Sequence, residues 1–255
     1  MFQAHSAGFV PLFGSSKGSG WVSRLEWSPK GTLLAAASGK ELLVVDRDGQ
    51  LVRRFAVPST ATDLVWSVDG SRVAVSAYGG VQWFLPDGPS DAAVKTMAWK
   101  GSILKMAQSA TGAWLCHGNQ DNSVHIWKVK SGDELEISGY PAKVDVLEFD
   151  GSGRWLAVGT VGHTSVWDCA GKGPRGRRPV ACEGHSRRVT AVAWRPRTTT
   201  LASGAVIASG VMLSDGVMLA DGVVLEHVDR DRFAACMVFG ACAAGTSVDC
   251  GDIFE

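Results

Sequence analysis

The chain repeats itself, and the length of the repeat restricts its fold more than any other feature. Five segments fit one template of alternating apolar residues, an anchor, a polar turn and a second apolar run. They are VSRLEWSPKGTLLAAAS from Val22, ATDLVWSVDGSRVAVSA from Ala61, ILKMAQSATGAWLCHGN from Ile103, VDVLEFDGSGRWLAVGT from Val144 and VTAVAWRPRTTTLASGA from Val189. With anchors at Trp27, Trp66, Ala107, Phe149 and Trp194, successive units stand 39, 41, 42 and 45 residues apart. That period suits a unit of four short strands repeated around an axis; the common helical repeats run at about 33 or 34 residues.

The residues inside a unit read as strands. In the first, Leu25 and Trp27 alternate with Glu26, the period of two of a half-buried strand. The stretch Ser28-Pro29-Lys30-Gly31 places Pro within a turn and Gly at its end. Residues 33–37 predict a short buried strand, 42–45 a third and 51–56 a fourth, the last two separated by Asp46-Arg47-Asp48-Gly49. Gly or Pro interrupts every unit, which leaves no room for an 11-residue helical stripe. The predicted class is all-β. All ten Trp lie between Trp21 and Trp194, so the repeat region holds the aromatic core material.

The segments NSVHIWKVKSG from Asn122, HTSVWDC from His163 and EGHSRRVTAVAW from Glu183 resemble the WD-repeat family of β-propellers. The resemblance covers about residues 21–204 and implies a propeller of four-stranded antiparallel blades. In that family an Asp, a His, a Ser or Thr and a Trp often form a hydrogen-bonded cluster within a blade. Matching positions here are Asp121 and Trp127 in the third unit, Trp167-Asp168 in the fourth, and His185 with Ser203 in the fifth. No unit has all four; the third has His117 where Ser is usual. These blades are expected to depend on buried Trp more than on the polar cluster. The stretch VWDCAGKGP, residues 166–174, is similar to part of the WD-repeat proteins associated with CobW-type metal-chaperone GTPases, which implies such a GTPase as a partner.

Seven blades at about 41 residues each need about 290 residues. Five units therefore predict an arc that is incomplete or irregular at its C-terminal end. The expected organisation is an N-terminal segment at 1–20, propeller blades at 21–204, and a degenerate tail at 205–255. That tail carries three hexapeptides, ASGVML, SDGVML and ADGVVL, whose Asp-Gly steps between apolar runs suggest short strands. A low-complexity or disordered tail, and a truncated or frame-altered gene product without function, are the competing readings.

Charge and motifs narrow the function. Lys+Arg 25 balances Asp+Glu 25, so no global field favours nucleic acid or an anionic membrane. No apolar run approaches a membrane span, the start of the chain does not read as a signal peptide, and six irregularly spaced Cys fit reduced thiols in the cytoplasm. No GxSxG, HExxH or phosphate-cradling Gly loop is present, so no catalytic residue is assigned and no cofactor is expected. Cys169, Cys182 and His185 have ligand-like spacing. A blade would separate them by a strand of about 15 Å, too far for ligands at about 2 Å from one ion, so no metal is assigned.

Two sets of residues are candidates for binding. One is the basic loop KGPRGRRP with Lys172, Arg175, Arg177 and Arg178, on the bottom rim between the third and fourth strands of a blade. Arg suits phosphate, but no aromatic residue is interleaved to stack on bases, and Gly and Pro fit a solvated loop. The other is the top rim, where WD-repeat proteins often hold partners: Trp21, Lys143, Arg187 and Arg188 match those positions. The expected function is a noncatalytic scaffold for protein–protein interaction, with an accessory role in metal homeostasis as an alternative.

Overall fold

The computed structural model describes residues 2–5, 8–11, 21–205 and 236–237. Strands β1 (Phe2–His5) and β2 (Gly8–Pro11) pair as an antiparallel hairpin. Blade I is β3 (Val22–Trp27), β4 (Leu33–Ser38), β5 (Glu41–Asp46) and β6 (Leu51–Ala56). Blade II is β7 (Asp63–Trp66), β8 (Val73–Ala77), β9 (Gly80–Phe84) and β10 (Lys95–Ala98). Blade III is β11 (Ile103–Gln108), β12 (Trp114–Asn119), β13 (Val124–Lys128) and β14 (Glu134–Ile137). Each is a four-stranded antiparallel meander in chain order. Blade IV holds β15 (Val146–Phe149), β16 (Trp155–Gly159), β17 (Val161–Asp168) and the start of β18 (Val180–Trp194). The rest of β18 pairs with β19 (Leu201–Ala205) as the first two strands of blade V, beside which the two-residue β20 (Cys236–Met237) runs parallel. Most of the expected N-terminal segment and of the hexapeptide tail lies outside the described residues.

The turn after each first strand shows why the repeat is regular. Ser28, Ser67 and Ser109 each accept, on the side-chain oxygen, the N–H of the residue five further on, and Asp150 does the same. Gly31, Gly70, Gly112 and Gly153 close these turns at φ between 63 and 72°, a left-handed conformation that glycine adopts without a Cβ clash. In blade V that conformation falls on Arg197, at φ 62°.

This register corrects one anchor. Trp27, Trp66, Phe149 and Trp194 oppose Leu34, Val73, Leu156 and Leu201. The matching pair in blade III is Gln108 with Leu115, so the anchor is Gln108 and not Ala107. With no aromatic residue there, only the turn Ser109 marks the register.

The core lies between blades. Phe55, Val44 and Leu42 of blade I meet Leu64, Trp66, Val75 and Phe84 of blade II, with Phe55 and Phe84 stacked at 4.7 Å between ring centroids. Trp83 and Val81 of blade II meet Ile103, Leu115 and Trp127 of blade III. Because successive residues of β8 face different neighbours, both faces are buried and the strand reads as a nearly continuous apolar run. Each large side chain so buried contributes about 1.5–3 kcal/mol. Indole groups add a repeated joint: Trp66 donates from Nε1 to the Glu26 carbonyl at 2.9 Å, and Trp194 to the Glu148 carbonyl at 3.1 Å. In both cases an anchor bonds to the residue just before the anchor of the preceding blade.

Candidate interaction surface

The first strands of successive blades, β3, β7, β11, β15 and the second half of β18, stand side by side. They enclose an axial cavity of about 430 Å³ whose lining includes Arg24, Glu26, Lys105, Gln108, Asp145 and Glu148. Beneath it, Asp63 at the start of β7 is 2% exposed. Its carboxylate accepts the Met106 N–H at 2.7 Å and faces Lys105 Nζ at 3.3 Å and Arg24 Nε at 3.5 Å. One buried acid therefore ties blades I, II and III together. Burial raises the Glu26 pKa; Arg24 opposes the shift and Asp63 adds to it. On the other side of the cavity Arg188 of β18 bonds to Asp145, and Lys143 Nζ lies 3.6 Å from the same carboxylate. Among the described residues the lining includes no Cys, Ser or His, so the cavity offers ion pairing and hydrogen bonding.

The top-rim candidates separate into two places. Lys143 and Arg188 meet on Asp145, and Arg188 also donates to the Lys143 carbonyl at 3.3 Å. Arg187 is exposed beside them in sequence. Trp21 stands just before β3, two blades or more away in chain order, and is 85% exposed.

The basic loop lies between β17 and β18, as expected, but it is not simply solvated. Gly173 packs so closely on Trp114 and Leu135 of blade III that a Cβ there would come within 2.9 Å of the Trp114 ring. Arg177 is spent on Asp168, which also takes two bonds from Arg154, Nε to Oδ1 and Nη2 to Oδ2, each at 3.0 Å. These contacts hold the Asp168 pKa below the ordinary carboxylate range, the Arg154 bond chief among them. Lys172, Arg175 and Arg178 are exposed. The stretch 166–174 that resembles CobW-associated proteins thus serves the packing of blade IV on blade III, and the relatives named below lend that partner no support.

The blade clusters are rebuilt with other residues. In blade III, Asp121 accepts from Ser123 at 2.6 Å, Asn119 donates to Ser123 at 3.0 Å, and His117 Nδ1 bonds to Asn119 Oδ1 at 2.6 Å. Trp127 instead donates to Glu134 at 3.1 Å. In blade IV, Trp167 donates to the Tyr140 hydroxyl at 2.9 Å, and that hydroxyl lies 3.1 Å from Ser165 Oγ. In blade V, His185 Nε2 and Ser203 Oγ are bonded at 2.8 Å, as the resemblance implied. So partial polar clusters stand beside the buried Trp side chains. Asn119 and Tyr140 carry no sequence signal of their own. His185 sits within β18, in the stretch between Glu183 and Arg188 that lies outside the ladder with β17. Cys169 belongs to the core between blades III and IV, and Cys182 to the core between blades IV and V.

The comparisons agree with this architecture. The family described as WD domain, G-beta repeat matches residues 176–216. The WD repeat-containing protein AAC3 of Dictyostelium discoideum is 25% identical over 160 residues, covering 58% of this chain and 33% of its own length. A ribosome biogenesis protein WDR12 homolog of Drosophila virilis is 26% identical over 103 residues, 39% of this chain and 25% of that protein. The chain thus spans a third or less of the curated relatives named here. A chain in the crystal structure of a mitotic checkpoint complex superposes with a TM-score of 0.67 at 19% identity, covering 77% of this chain and 60% of that one. Residues 176–216 of this chain match a WD repeat, AAC3 is a WD-repeat protein, and the four-stranded sheets stack as the blades of a β-propeller.

Proposed function

We propose that the chain is a noncatalytic scaffold that binds a protein partner over the mouth of the axial cavity, with Trp21, Lys143, Arg187 and Arg188 as rim contacts. The observation that supports this reading is the convergence of five first strands on one polar cavity, two of whose lining cations, Arg24 and Lys105, pair with the buried Asp63. Rigid blades hold these side chains while the loops that lead into the strands face outward. Trp and Arg are the residue types that most often anchor interfaces. WD-repeat relatives point the same way, since such proteins generally act as scaffolds. Among the described residues the thiols of Cys116 and Cys169 are buried and form no disulfide, which fits a reducing compartment, and we propose a cytoplasmic location.

The test is quantitative affinity capture with the tagged full chain and with a Trp21→Ser/Arg187→Glu variant. Both residues are exposed, so the variant keeps its thermal midpoint. A partner bound by the wild type is expected to fall at least tenfold in the variant. Equal capture by both forms would remove the rim from the mechanism.

A further inference from the structure

Blades I, II and III each end in an outer strand with no further strand beside it, β6, β10 and β14, and β14 is set apart by what lies beside it. Two cavities of about 430 and 420 Å³ adjoin that strand and share Glu134, Leu135 and Arg175. They form one groove along the outside of the propeller, walled on one side by β14 and on the other by the loop from blade IV. Trp114 and Leu135 line the first part; Trp167 and Pro174 line the second. The wall is fixed in place, because Gly173 packs on Trp114 and Leu135 and Arg177 is tied to Asp168.

Two features define an occupant. First, β14 is last in its sheet, so half of its backbone N–H and C=O groups point into the groove without a strand to receive them. An extended chain can pair with them as a fifth strand. Second, Lys172 and Arg175 line the groove and have no ion-pair partner among the described residues, although Arg177 beside them does. Of the acids that line the groove, Glu134 accepts from Trp127 Nε1 and lies 3.5 Å from His125, Asp133 accepts from Ser131 at 2.7 Å, and Glu136 lines the second part; none of them pairs with Lys172 or Arg175 among the described residues. We propose that this groove binds an extended acidic peptide segment, which pairs with the edge of β14, sets apolar residues against Leu135 and Trp167, and sets carboxylates against Lys172 and Arg175. The site is separate from the axial cavity and would give the scaffold a second, lateral partner.

The test uses the full chain and a fluorescein-labelled peptide of about twelve residues alternating Leu and Glu, long enough to pass the roughly 13 Å of β14. Fluorescence anisotropy is expected to show saturable binding, at least tenfold weaker for Lys172→Glu/Arg175→Glu and unchanged for Trp21→Ser/Arg187→Glu. Hydrogen exchange is expected to slow at the β14 amides when the peptide binds. Both substituted cations are exposed, so an unchanged melting curve shows that the variant is folded. The proposal is overturned by no binding, by binding that ignores the double substitution, by unprotected β14 amides, or by equal competition from single-stranded DNA. Because the rim variant is a separate arm, failure here leaves the axial reading intact, and failure of that reading leaves this one intact.

Discussion

Acid should loosen the joint between blades II and III, through one histidine. His117 is fully buried, among Trp99, His125 and Trp127, with ring centroids 4.5 Å from Trp127 and 5.2 Å from Trp99. Asn119 fixes its tautomer: the amide gives its N–H to Ser123, so its oxygen faces Nδ1 and Nδ1 carries the proton. Nε2 then has no partner, and a proton added there would be both buried and unsatisfied. Burial lowers the pKa from the ordinary 6.5 to about 3; the Asn119 bond opposes the shift, and His125 adds to it. Between those values the unfolded chain binds a proton that the native chain refuses, so stability is full above pH 6.5 and falls as the pH drops. From pH 7.5 to 5.5 the loss from this group is about 1.4 kcal/mol, against a total of about 5–15 kcal/mol for a typical domain. The assay is urea unfolding at pH 7.5, 6.5 and 5.5 for the wild type and His117→Gln. The variant is less stable at pH 7.5, but its stability should decline less with acid, by about 1.4 kcal/mol over the same span. Parallel pH dependences for the two proteins would show that His117 is not held neutral.

Two further substitutions test the contacts between blades. Gly118→Ala in β12 would press a methyl against the Val144 carbonyl and its side chain, 2.7 Å from Cγ1, and should cost about 1–3 kcal/mol, read as a lower urea midpoint. Trp66→Phe keeps a ring in the core but removes the donor to the Glu26 carbonyl; a loss of about 1 kcal/mol is expected, together with faster amide exchange in β3.

The period of the repeat made the blades legible, because one polar turn and two apolar runs recur whatever the identity of the anchor. Residues 33–37, 42–45 and 51–56 fall within β4, β5 and β6 for that reason. Neither Ala107 nor Gln108 is aromatic, so residue type alone does not mark the anchor of blade III; Ser109, in step with Ser28 and Ser67, is the signal that identifies Gln108. Asp63 was visible as a lone acid in ATDLVW, yet its partners come from strands about 40 residues before and after it, and only the ring of blades brings them together. Tyr140 could not be read at all, since nothing in its neighbourhood points to a Trp 27 residues further on. The basic loop was legible as a charged surface, but its closeness to Leu135 depends on how two blades abut.

Strand β18 runs for fifteen residues through two sheets, its first part in blade IV and its last in blade V, with no turn between them. A junction made from one strand, even with residues 184–187 bulged out of its ladder, has less freedom to flex than the link between blades I and II, residues 57–62, which lies outside any strand. The arc is therefore unevenly stiff. Thermal bending should collect at the loop junctions, while blade V moves with blade IV as one lever, so a partner pulling on the Arg187 end would transmit its load directly to the outer strand of the neighbouring sheet.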